Sequence, residues 1–89
     1  PHVGFNTVQV QSNSVLFRDL GELVDVYFNH SYRMSAQDKQ YVSGTCFHGE
    51  TFIASIEKNN IFGTQFHPEK SQFNGLFVLK NFLEWKENG

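Results

Sequence analysis

Polar and apolar residues alternate with a period of two over residues 3–10, through Val8 and Val10, which predicts a strand with one buried face. Ser12-Asn13-Ser14 interrupts the pattern. Residues 15–20 form a short apolar patch suited to a loop or turn, and residues 23–34 resume as a strand rich in Val, Tyr and Phe. Residues 41–47 and 51–57 are two more β-prone runs joined by His48-Gly49-Glu50, and Asn59-Asn60 marks a further turn before residues 61–66. A meander of hairpins is expected. After His67-Pro68-Glu69 the period changes: Leu76, Leu79 and Leu83 fall at i, i+3 and i+7 with Phe82 beside them, predicting an amphipathic helix that ends near Asn88-Gly89. Ser71 is the expected N-cap, and the stripe Phe73, Leu76, Phe77, Leu79, Phe82, Leu83 is expected to be core.

Composition narrows the class of protein. An apolar content of 39 % with 18 % charged residues describes a globular chain, and 89 residues suit one small domain. Ten Phe, three Tyr and one Trp require a real core or interface. A formal charge of -2 provides no basic field for nucleic acid or an anionic membrane surface. Apolar runs fall far short of the roughly 20 residues needed to span a bilayer, and no signal segment opens the chain, so a cytoplasmic location is the expectation. The single Cys46 cannot form an internal disulfide, which fits a reducing compartment. The chain opens Pro1-His2-Val3-Gly4 with its only Met at Met34, which suggests a truncated or processed product.

The chemistry concentrates in residues 60–71, Asn-Ile-Phe-Gly-Thr-Gln-Phe-His-Pro-Glu-Lys-Ser. An apolar strand delivers His67 at its end, and Pro68 biases that residue toward extended backbone. If Glu69 continues in extended geometry, its carboxylate projects on the same side as the imidazole. A carboxylate on one ring nitrogen fixes the tautomer and leaves the other nitrogen as a general base. The plainer alternative makes His67 an ordinary turn histidine and Glu69 a solvated carboxylate favoured by the helix dipole.

The longer string Gly63-Thr64-Gln65-Phe66-His67-Pro68-Glu69-Lys70-Ser71 resembles the last motif of the class I glutamine amidotransferases, in which a His and a Glu complete a Cys-His-Glu triad. Pro1-His2-Val3-Gly4-Phe5-Asn6 and Tyr27-Phe28-Asn29-His30-Ser31-Tyr32 are similar to segments of the branch that feeds histidine biosynthesis. The resemblance runs over nearly the whole chain. It implies the C-terminal part of a three-layer α/β fold around a mixed sheet, here mostly strands and hairpins followed by one helix, with the nucleophile-bearing N-terminal part absent from residues 1–89. It further implies His67 as general base, Glu69 as its orienting carboxylate, and Ser31 and Tyr32 as lining the glutamine pocket. Phe5, Tyr27 and Lys70 would face a cyclase barrel subunit that receives ammonia. No cofactor is implied. Phe5 stands where many members carry Trp, which leaves open a paralogous glutaminase serving another acceptor, such as a sugar precursor.

Cys46 does not match the nucleophile of this family. Gly44-Thr45-Cys46-Phe47-His48 has His in place of the second glycine of Gly-x-Cys-x-Gly, and a returning strand follows where an elbow needs a helix. Cys46 is therefore read as a buried strand residue. A zinc site built from Cys46, His48, His30 and His67 matches no usual ligand spacing, so no metal is expected. His2 and His30 are expected to satisfy backbone groups. Glutamine hydrolysis is then the expected activity of the whole protein, and these residues alone should be inactive. Unpaired strand edges and an uncovered helix face would favour self-association. A non-catalytic β-rich interaction module is the alternative from a different class.

Overall fold

The computed structural model describes residues 2–30, 39–59 and 61–88. Five strands, β1 (His2–Val10), β2 (Leu23–His30), β3 (Val42–His48), β4 (Glu50–Lys58) and β5 (Ile61–Thr64), form one sheet in the order β2-β1-β3-β4-β5. All four pairings are antiparallel. The helix α1 (Gln72–Asn88) follows, after a 3₁₀ turn over Pro68–Lys70. The order makes β3, β4 and β5 a meander, but β1 sits between β2 and β3, so the full sheet is not one continuous meander. Strands and hairpins followed by one C-terminal helix are the elements that the sequence led us to expect.

Strand alternation defines the core. Val24, Val26 and Phe28 of β2 are buried, whereas Leu23, Asp25 and Asn29 face outward. Val8, Cys46, Phe52 and Ala54 continue the same inner face across β1, β3 and β4. The register slips beside Gly44, where a Cβ would sit 2.7 Å from Val8 Cγ1 and 2.8 Å from Ser55 Oγ. Glycine is required by that approach. The hydroxyls of Ser43 and Ser55, both buried, satisfy each other at 2.7 Å.

Residues 15–20 form the expected loop, and its apolar residues Leu16 and Phe17, each 2 % exposed, are part of the core. A carboxylate organises them. Glu57 on β4 accepts hydrogen bonds from the Ser14 hydroxyl at 2.5 Å, Val15 N–H at 2.8 Å and Leu16 N–H at 3.4 Å. From the helix, the amide of buried Asn81 donates to the carbonyls of Leu16 and Arg18, both at 2.9 Å.

The helix lies where expected but buries a different face. Gly75, Val78 and Asn81 are buried, while Phe73, Leu76 and Leu83 are 66, 65 and 56 % exposed, so most of the apolar stripe assigned to the core faces outward. The reason is close backbone approach. A Cβ on Gly75 would stand 1.7 Å from the Pro68 carbonyl oxygen, so α1 meets the preceding turn along a line that admits no side chain. Phe82 and Trp85 stack edge-on against Phe62 of β5, at 5.4 and 6.2 Å between ring centroids. No helix among the described residues is long and apolar enough to cross a membrane.

Candidate active site

Beyond β5 the chain runs back over the core toward the opposite edge of the sheet. Gln65 N–H donates to Ala54 O at 2.8 Å, and the buried Phe66 ring packs near Phe17 and Phe28. His67 N–H then donates to Tyr27 O at 2.9 Å, on the outer edge of β2. The segment that leaves one edge strand thereby meets the other at the residue that carries the imidazole. His67 has φ -101° and ψ 102°, the extended conformation that a following proline favours.

His67 Nδ1 lies 3.0 Å from Glu69 Oε2. The carboxylate reaches the ring from within the 3₁₀ turn over Pro68–Lys70, not from the extended backbone expected at Glu69. Its own backbone N–H holds the Glu69 carboxyl below the usual 4.5, with the His67 hydrogen bond and the nearby His67 and Lys70 charges adding to the effect. Glu69 is consequently ionised at neutral pH. An ionised carboxylate only accepts, so Nδ1 carries the proton of the neutral ring and Nε2 carries the lone pair. Both side chains reach solvent, at 38 % exposure for His67 and 62 % for Glu69.

Ser71 does not cap α1 with its side chain, as its position had suggested. Its hydroxyl donates to His67 O at 2.7 Å and accepts from Tyr27 N–H at 2.9 Å, 44 residues away in sequence. Neither Ser71 nor Gly75 was recognisable as part of the site, because each acts through backbone brought close only by folding. Asn74 adds a third tie to β2, donating to Asp25 O at 2.9 Å. The outer edge of β2 is covered here by the turn and the start of α1.

The three residues assigned to a partner surface lie together beside this turn. The Phe5 and Tyr27 rings meet edge-on at 5.5 Å, and the Lys70 ammonium stands 5.8 Å from the Tyr27 ring centroid. Phe5 is half exposed. Ser31 and Tyr32 lie outside the described residues. Cys46 is buried at 3 % exposure on β3 and leads into the β3–β4 hairpin, without the helix a nucleophile elbow requires. His2 is buried in a ring stack between Phe28, at 4.6 Å, and His48, at 4.0 Å. No group of three or more His, Cys, Asp or Glu is gathered for a metal among the described residues.

β5 ends at Thr64, short of the expected strand over residues 61–66, and it is the segment beyond it that brings the His67 imidazole and the Glu69 carboxylate into contact ahead of α1. The model for glutamine amidotransferase class-I matches residues 1–85, and the chain belongs to that family. Within it, similar relatives are imidazole glycerol phosphate synthase subunits HisH. That of Geobacter sulfurreducens is 44 % identical over 97 % of this chain, and that of Pelagibacter ubique 42 % identical over 93 %. The chloroplastic imidazole glycerol phosphate synthase hisHF of Arabidopsis thaliana is 48 % identical over 97 % of this chain. The chain spans 41 and 40 % of the length of the two bacterial relatives and 15 % of the plant one.

Proposed function

We propose that residues 1–89 are the C-terminal part of a glutaminase that hydrolyses glutamine to glutamate and ammonia and hands the ammonia to a cyclase barrel, which makes imidazole glycerol phosphate in histidine biosynthesis. The observation that carries this reading is the 3.0 Å contact between His67 Nδ1 and an ionised Glu69, which leaves the lone pair on Nε2. The nucleophile is a cysteine thiol outside these residues, since Cys46 is buried in a strand. Nε2 takes the thiol proton, and the thiolate attacks the side-chain amide carbon of glutamine. The imidazolium, held by Glu69, returns the proton to the leaving nitrogen and ammonia departs. Nε2 next accepts a proton from water, which hydrolyses the thioester to glutamate and restores the thiol.

The Phe5, Tyr27 and Lys70 cluster would face the cyclase subunit, with Ser31 and Tyr32 lining the glutamine pocket. The HisH relatives support this acceptor over a sugar-precursor enzyme. The isolated chain would be inactive and would self-associate through Phe73, Leu76 and Leu83, exposed along one side of α1. The test is His67→Ala in the complete protein. Loss of glutamine hydrolysis with folding intact is expected, and unchanged hydrolysis would overturn the assignment.

A further inference from the structure

We infer that Ser71 is a positioning residue for the His67 imidazole, acting by clasping the backbone of His67 to the edge of β2. This rests on the reading of His67 as general base. Both backbone polar groups of His67 are engaged: its N–H donates to Tyr27 O at 2.9 Å, and its carbonyl accepts the Ser71 hydroxyl at 2.7 Å. The same hydroxyl accepts Tyr27 N–H at 2.9 Å, which closes a ring of three hydrogen bonds between β2 and the turn. The N–H and C=O of Tyr27 therefore both point outward from the sheet to this clasp.

The geometry has a direct effect on aim. Anchoring the N–H and the carbonyl fixes the two torsions on either side of the His67 Cα, and with them the direction of the Cα–Cβ bond. Only the side-chain torsions remain, and the Nδ1 contact with Glu69 restrains them. Lys70 N–H also reaches His67 O, at 3.1 Å, but it belongs to the same turn and does not tie the turn to the sheet. Ser71 does so from a site only 2 % exposed, where no solvent stands ready to replace its hydroxyl. Without it, the Tyr27 N–H loses its acceptor and the link between β2 and the His67 carbonyl is cut.

Ser71→Ala, Ser71→Cys and His67→Ala in the complete protein test this, with kcat and KM for glutamine hydrolysis and the melting temperature measured for each. Ser71→Ala is expected to lower kcat roughly tenfold, as a small misplacement of a catalytic group does, while KM stays within about twofold. Ser71→Cys keeps the shape with a weaker donor, so its kcat should fall between the two. A Ser71→Ala protein with lowered melting temperature but wild-type kcat would make Ser71 structural only and overturn the inference, as would a raised KM at unchanged kcat. If Ser71→Ala does not fold, Ser71→Cys decides on the same criteria. A fully active His67→Ala protein would instead remove the general-base reading, an outcome distinct from either result at Ser71.

Discussion

Glu57 and Glu69 each tie a turn of this molecule together, and the difference between them separates a structural carboxylate from a chemical one. Glu57 is half-buried, and its two oxygens are taken by a hydroxyl and two backbone N–H groups of the loop at residues 14–16. Those backbone donors do not titrate near neutral pH, so the contact can only hold shape. Glu69 sits at the surface and meets an imidazole, whose second nitrogen is left open for proton transfer. The same type of contact then decides which ring nitrogen carries the lone pair. Each turn is also bound to α1 or its approach: Asn81 reaches the first, and Ser71 and Gly75 hold the second.

The largest effect should come from His67→Ala in the complete protein, a fall in kcat of about 10²–10⁴, with stability within about 0.5 kcal/mol because the side chain is partly exposed. Glu69→Gln keeps the shape but removes the charge, and kcat should fall about 10²-fold, at the low end of that range. Glu57→Ala should produce the opposite pattern: a loss of about 1–3 kcal/mol in denaturant unfolding as partly buried donors lose their acceptor, with unchanged turnover per folded molecule. Equal damage to activity by Glu57→Ala and Glu69→Gln would break the comparison.

The smallest effect is one of titration. The Glu69 carboxyl carbon, followed by NMR, should titrate below 4.5, so the pair with His67 persists into weak acid and is lost as pH falls through that lowered value. His67→Ala should move the midpoint only part of the way back. The leading cause is the backbone N–H of Glu69 itself, which the substitution leaves in place.

Strands and helix were legible in the sequence because period-two and period-3.6 patterns are local, and β1, β2 and α1 appear close to where the spacing placed them. The face that α1 buries was not legible. Hydrophobic periodicity scores Leu76, Leu79 and Leu83, whereas the helix turns Gly75 and Asn81 inward, one for lack of a side chain and one to bond two carbonyls. Ser71 was misread for a related reason. A serine ahead of a helix has a local explanation as N-cap, and nothing local announces a partner at Tyr27. The contact of His67 with Glu69 was legible as chemistry but not as geometry, since the turn at Pro68 brings the carboxylate round where extended backbone had been expected.

The notch at Gly75 works as a keyway for the Pro68 carbonyl. Main chain seats against main chain there, so no rotamer can lengthen or shorten the fit, and the tilt of α1 is transmitted to the His-Pro-Glu segment without slack. A foreign helix grafted behind this segment would keep the imidazole in alignment only if it carried the same gap at its fourth residue, whatever the rest of its surface looked like.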